Sequence, residues 1–375
     1  YQCDWSSDVC STDLITVAAM ARTGGAPPET FSIGYDEDRF NELPQAREVA
    51  NFLGTRHHEM VVRADAVKVL PRLIEHVGEP MADNSLLPTY YVSHFARQYV
   101  TVALSGDGGD ESFAGYRRFF HALRAERMAG MGLLPAWRTA RRLGIAAEGW
   151  LNPRRRGRRY PATRADEMLE HEGLARYRHL IALFPDADKE RLITPALRAA
   201  AGSDGTLAYL SGAFGPTSAD ALNRYLALEL GAYLPEDILF KVDAASMAVS
   251  LECRSPFLDH RLVEFAARLP GRYKMGFPGR HKHILKAAFA DWLPRGFLDR
   301  PKKGFSVPVT AWLRGSLAGQ LRESLLGSGT LDAWIRGDTT ARLVEEHLDG
   351  RRDHGQQLWS LLVLGIWVER FAVTA

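Results

Sequence analysis

The sequence predicts an α/β protein: an open, mostly parallel sheet with a large helical region attached. Three observations predict it. Strand-like and helix-like patterns alternate over residues 14–116. The run Tyr99 to Leu104 is β-branched and apolar on both faces, as a strand inside a parallel sheet must be. Beyond Tyr116 the patterns are helical, arginine-rich and without a clear strand.

Taken in order, Leu14 to Met20 reads as a buried helix, ended by Gly24-Gly25 and Pro27-Pro28. Glu29 to Tyr35 reads as a short buried strand. Asn41 to Leu53 has helical spacing and stops at Gly54. His57 to Val62 is a second strand candidate, and Ala64 to His76 an amphipathic helix. Leu86 to Gln98 is another helix, with Pro88 near its start, where the missing N–H is tolerated. Residues 117–232 look like a helical region added to the sheet domain, with a basic loop from Arg154 to Arg159. Residues 233–375 continue as helices and loops and close on an apolar helix, Leu358 to Phe371. Only residues 1–13 break the pattern. Asp4 to Asp13 is polar, acidic and Ser-rich, with neither helical nor strand periodicity.

Composition narrows the class of function. With 47 Lys+Arg against 45 Asp+Glu the net charge is +2, which argues against a dedicated nucleic-acid binder. Three cysteines, Cys3, Cys10 and Cys253, give no disulfide framework and no thiolate-rich zinc site, which fits a reducing cytoplasm. No stretch approaches the roughly 18 apolar residues of a membrane span.

The chemistry concentrates in Leu104-Ser105-Gly106-Asp107-Gly108-Gly109-Asp110-Glu111, directly after a buried strand and before a helical stretch. Glycines let backbone N–H groups close around an oxyanion, and Ser105 adds a hydroxyl donor. Three neighbouring carboxylates, Asp107, Asp110 and Glu111, repel one another unless a divalent cation lies between them and a polyphosphate. A second region, Tyr233 to Pro270, alternates charged and apolar residues. Asp243, Glu252, Arg254 and Asp259 are expected to be buried there, either in the site or in an ion-pair network that holds the helical region on the sheet. A third, Arg300-Pro301-Lys302-Lys303-Gly304-Phe305, is a basic Gly/Pro loop able to reach a phosphate chain. His57 and His58 are neighbours in a strand and point to opposite faces, so they read as packed or solvated residues, not metal ligands. Tyr90-Tyr91 and the C-terminal tryptophans read as core.

With these motifs in place, the chain resembles the synthetase domain of glutamine-dependent asparagine synthetases. It is also similar to amidotransferase-like proteins of polysaccharide loci and to β-lactam synthetases. The resemblance runs from Leu14 to the C-terminus through Phe31-Ser32-Ile33-Gly34-Tyr35, Glu79-Pro80-x-x-Asp83-x-Ser85, Ser105 to Tyr116, Lys241-x-Asp243, Leu251-Glu252-x-Arg254-x-Pro256-Phe257-Leu258-Asp259 and Arg300-x-Lys302-Lys303-Gly304-Phe305. It implies an ATP-pyrophosphatase (adenine nucleotide α-hydrolase-like) fold, with ATP and Mg²⁺ at the carboxyl edge of the sheet. A carboxylate, aspartate first among candidates, would attack the α-phosphate; ammonia would then displace AMP to give an amide. By resemblance, Ser32, Ser105, Gly106, Gly108 and Gly109 contact nucleotide, Asp110 binds Mg²⁺, Asp107 lies near the attacking amine, and Lys302 stabilises both transition states. Lactam-forming relatives carry tyrosine at the position of Asp107, so intermolecular amidation is expected here. Amidation of a sugar acid, or a non-catalytic nucleotide-binding role, are the competing readings.

Three departures from the family stand out. A Ser-Gly-Gly-x-Asp-Ser phosphate loop is expected just before Leu14, yet Ser7 to Asp13 holds no glycine. Asp4 to Leu14 instead resembles the in-frame translation of a sequencing adapter, apart from Thr12, so residues 1–13 are expected to be an artefactual segment and the chain to be impaired. The amino-terminal glutaminase domain that would supply ammonia is not in this sequence and is expected as the full-length protein's partner domain. Ala244 stands where relatives carry arginine.

Overall fold

The computed structural model describes residues 2–4, 11–38, 40–137, 139, 168–202, 205–214, 219–276, 279–300 and 307–373. Five strands form one all-parallel sheet: β1 (Gln2–Asp4), β2 (Glu29–Tyr35), β3 (Arg56–Val62), β4 (Val102–Leu104) and β5 (Glu252–Arg254). Their order is β3-β2-β1-β4-β5. The chain therefore winds outward from β1 in one direction, then crosses back to build the other half. That reversal leaves a crevice outside the carboxyl ends of β1 and β4, where open α/β sheets bind ligands.

Strand β2 coincides with its sequence reading. Phe31, Ile33 and Tyr35 enter the larger core. Gly34, on the opposite face, lies against Leu43 of helix α2 (Leu43–Leu53). On the first face pack α3 (Leu70–Val77), α4 (Leu86–Ala96) and the C-terminal helix Gly355–Phe371, whose Trp359 is fully buried. Trp367 of that helix is half-buried and donates to the Gly78 carbonyl at 2.9 Å. The second face carries α1 (Ser11–Arg22), α2 and α5 (Gly109–Phe113), with Leu14, Ile15, Val17, Ala46, Val49 and Phe113 in one cluster. A separate helical cluster joins Phe119 and Ala122 of α6 (Arg117–Gly130) to Tyr177, Leu210, Leu222 and Tyr225. Among the described residues no helix is long and apolar enough to cross a membrane.

Several elements differ from the sequence reading. Gln2–Asp4 forms the central strand and α1 begins at Ser11, both inside the segment read as without periodicity and artefactual. Three residues are too few to show alternation, and the first turn of α1 is polar because it meets a loop. The strand read over Tyr99 to Leu104 shortens to Val102–Leu104, leaving Tyr99 half exposed in the preceding turn. The helix read over Ala64 to His76 divides into a tight 3₁₀ segment, Ala64–Val69, and α3, whose first turn accommodates Pro71. Strand β5 was missed because Glu252 and Arg254 are exposed on a short edge strand, where charge is tolerated. The Arg154–Arg159 loop lies outside the described residues.

Candidate functional site

Strand register sets the frame of the site. Asp4 of β1 is opposite Phe31 of β2, and Cys3 is opposite Leu104 of β4. Ser105 is thus level with the end of β1, and Ser32 is one step beyond it on the other side. Two strand spacings separate them, roughly 10 Å. Ser32 is buried. Ser105 continues the ladder by donating its N–H to the Arg254 carbonyl at 2.9 Å. Its hydroxyl donates to Asp107 Oδ2 at 2.8 Å and sits 2.8 Å from Ser255 Oγ.

The glycines do something other than expected. A Cβ on Gly106 would lie 2.5 Å from the Asp13 backbone nitrogen, and one on Gly109 would overlap the Thr12 side chain. The loop needs glycine here so that the first turn of α1 can approach. Gly108 adopts φ +81°, a left-handed conformation, and abuts Leu258. The Gly106 N–H, an expected oxyanion donor, is bonded to Asp13 Oδ1 at 2.6 Å. Thr12 and Asp13 are both buried at this contact.

The three loop carboxylates find three separate partners. Asp107 takes the Ser105 hydroxyl. Asp110 pairs with Lys282 at 2.9 Å, and the same ammonium donates to Thr12 Oγ1 at 3.0 Å. Lys282 is 2% exposed and has φ +51°, a strained backbone conformation for a residue with a side chain. Glu111 accepts from the Tyr116 hydroxyl, and burial together with the Asp110 charge pushes its pKa up to about 7. Each loop carboxylate thus has a partner among the protein's own groups, while the Asp110 charge still acts on Glu111.

Next to this loop lies a second buried set. Lys241, 6% exposed, donates to Asp83 Oδ2 at 2.8 Å and Ser85 Oγ at 2.7 Å. Burial alone would raise Asp83, but the charge and hydrogen bond of Lys241 outweigh it and hold the carboxyl at about 2. Burial and the Asp83 charge push Asp237 up to about 7. Asp107 adds to the negative field at Lys241. Asp237 lies on a π-helical segment, Glu229–Leu239; such wide turns recur at functional sites. Below it, Arg118 donates to Glu229 at 2.8 Å and lies over the Tyr116 and Tyr233 rings at 3.9 and 4.4 Å.

Ser32, Ser105, Gly106, Asp107, Gly108, Gly109 and Asp110 therefore gather around one crevice. Lys302 lies outside the described residues. Asp243, Glu252, Arg254 and Asp259, expected to be buried, are not: Glu252 and Arg254 pair at 2.7 Å while about half exposed, Asp259 pairs with Arg261 beside the cap of the following helix, and Asp243 is exposed. His57 and His58 bond Thr30 at 3.0 Å and Glu29 at 2.6 Å. Sequence reasoning missed Thr12, Asp13, Lys282 and Asp237, and it did not foresee that Glu111 pairs with Tyr116. A Lys at 282 carries no local mark, because its partners are far away in the chain.

Mg²⁺ is usually held by one or two carboxylates plus substrate phosphates. Asp110 fits that role, although among the described residues no three metal-ligating side chains converge. The Gly106 N–H, the donor expected for a phosphate oxygen, is already taken by the Asp13 carboxylate.

Comparison with known proteins agrees with this frame. A sequence-family model described as asparagine synthase matches residues 14–369. Asparagine synthetase [glutamine-hydrolyzing] 1 of Bacillus subtilis (strain 168) is 29% identical over 360 residues, covering 95% of this chain and 54% of that protein. A putative asparagine synthetase [glutamine-hydrolyzing] of Mycobacterium bovis is 32% identical over 373 residues, 95% of this chain and 52% of that one. The asparagine synthetase [glutamine-hydrolyzing] of Bos taurus is 29% identical over 353 residues, 89% and 46% respectively. The chain spans about half the length of these relatives.

Proposed function

Because the chain belongs to the asparagine synthase family, we propose that it carries an ATP-pyrophosphatase-type synthetase site. Such a site activates a carboxylate, aspartate first among candidates, as an acyl-adenylate and then joins it to ammonia as an amide. The observation that carries this reading is the Ser105–Glu111 loop at the crevice between β1 and β4. A carboxylate is a poor electrophile, and conversion to an adenylate supplies AMP as a good leaving group. Mg²⁺, held by Asp110, would supply charge neutralisation on the departing pyrophosphate.

The chain's own residues divide the remaining work. Ser32 and Ser105 flank the nucleotide. Lys282, already on Asp110, is within reach of the same phosphates and supplies positive charge where negative charge leaves. Asp107, oriented by the Ser105 hydroxyl, takes the acid position near the incoming amine. Lys302 is assigned to the reacting phosphate and acyl group. Ammonia would come from a glutaminase domain, as the names of the relatives imply for them.

We also assign impaired turnover to this chain as it stands, since Asp13 blocks the Gly106 N–H and no glycine loop precedes α1. The test is formation of AMP, pyrophosphate and asparagine from ATP, aspartate and ammonia. Two chains are compared: this one, and one in which Ser-Gly-Gly-x-Asp-Ser is restored ahead of Leu14. Turnover is expected only after restoration, and Lys302→Ala should abolish it. Robust turnover by the unchanged chain would remove the impairment. Tight ATP binding without turnover after restoration would replace the enzyme reading with a nucleotide-binding one.

A further inference from the structure

A cavity of about 230 Å³ lies in the helical region, between α6, the helix Gly173–Ile181 and the helix Ala221–Leu228. None of its lining residues belongs to the crevice at the sheet edge. Its charges are divided in an unusual way. Arg176, 1% exposed, pairs with Glu126, and the Tyr225 hydroxyl donates to the same Glu126 oxygen at 2.8 Å. Those two charges cancel. Arg224 and Glu172 also line the cavity, and neither has an ion-pair partner among the described residues. The Arg224 guanidinium lies over Phe214, 4.3 Å from the ring centroid. Its Nε is buried and has no hydrogen-bond partner. An orphaned N–H on a charged fork is costly, and such groups call for an explanation.

We propose that this cavity binds a free α-amino acid, with the ligand carboxylate on Arg224 and the ligand ammonium on Glu172. The carboxylate matches the guanidinium fork and satisfies the orphaned Nε with a charge-assisted bond. One uncancelled cation and one uncancelled carboxylate in the same space match a zwitterion. A phosphate or dicarboxylate would set its surplus charge against Glu172, and a simple amine would leave Arg224 unsatisfied. Size agrees: at about 30 Å³ per water in the liquid, the 230 Å³ space suits a ligand of about eight heavy atoms. The apolar wall, Ala129, Ala221 and Phe214, leaves room for a short side chain.

The inference is independent of the proposed reaction, and one experiment separates the two. The purified chain is titrated calorimetrically with glycine, aspartate, asparagine and glutamine, and in parallel with acetate, methylammonium and inorganic phosphate. At least one amino acid should saturate at millimolar concentration or below and bind more tightly than the three simple ions. Arg224→Gln should weaken it by about tenfold or more, the loss expected for a charged hydrogen bond. Glu172→Gln, an exposed and conservative change, should weaken the amino acid and leave acetate unchanged or improved. Aspartate bound at the sheet edge would behave oppositely, keeping its affinity in Arg224→Gln and losing it in Asp107→Asn. The inference is overturned if no amino acid saturates, if Arg224→Gln and Glu172→Gln leave binding unchanged, or if phosphate binds best and Glu172→Gln tightens it further.

Discussion

The Asp13 carboxylate accepts the Gly106 N–H at 2.6 Å, 93 residues away in the chain, at the crevice where a nucleotide phosphate is expected. In the proposed site, that N–H would otherwise be free for a substrate anion. Predictions about both binding and stability follow from that contact.

Asp13→Asn keeps the shape of the side chain and removes its charge. It should tighten Mg·ATP or pyrophosphate binding by at least about tenfold, since a unit charge about 4 Å away is worth several kcal/mol at an effective dielectric near 20. Folding should lose about 1–2 kcal/mol, because a charge-assisted hydrogen bond becomes a neutral one. Equilibrium binding and urea denaturation read the two effects. Unchanged phosphate affinity would mean that Asp13 does not occupy the anion's place.

Lys241→Met should be severely destabilising. It leaves the partly buried Asp83 carboxylate without its cation, and removal of one partner of a fully buried pair costs about 3–5 kcal/mol, an upper bound for this one. The double variant Lys241→Met with Asp83→Asn should recover most of that loss, because no buried charge is then left unpaired there. If the double variant is no more stable than the single one, the pair is not the cause.

Asp237 and Glu111 should each make stability fall as pH rises from about 4 to about 7, against an opposite rise from His57, whose imidazole burial pushes down to about 4. In the folded protein Asp237 and Glu111 both titrate at about 7, raised from ordinary values of 3.8 and 4.5 by burial and a neighbouring carboxylate. A carboxyl whose folded pKa is raised contributes stability below its unfolded pKa and loses it as pH climbs through the folded one. Asp83 acts in the other direction: its contribution is present above 3.8 and is lost as pH falls towards about 2. Denaturant midpoints measured across this range should decline less steeply in Asp237→Asn and in Glu111→Gln than in the parent.

Gly108→Ala combines two penalties. The left-handed backbone costs a side-chain-bearing residue about 1–2 kcal/mol, and the new methyl overlaps Leu258, adding about 1–3 kcal/mol of overpacking. Thermal or urea denaturation should show the sum. Leu258→Ala in the same chain should recover the steric share of the Gly108→Ala penalty and leave the backbone share. Full recovery would show that φ carries no cost there.

What the sequence by itself determined is local. It marked β2 at Glu29–Tyr35, the helices on both sides of it, and the Ser105–Glu111 loop after β4, because burial of one face or both imposes a period that a few neighbouring residues reveal. Family resemblance added Asp83, Ser85 and Lys241 as motifs, without saying that they meet. Tertiary structure alone decided the rest. Gln2–Asp4 and Glu252–Arg254 are strands because partners on the sheet accept their backbone bonds, not because three residues show a pattern. Asp243, Glu252 and Asp259 lie outside because folding placed them on edges and caps. Lys282 reaches Thr12 across 270 residues, and Arg224 and Glu172 line one cavity. Hydrophobic period records which face of an element is buried. It does not record which distant charge, hydroxyl or open space that face will meet.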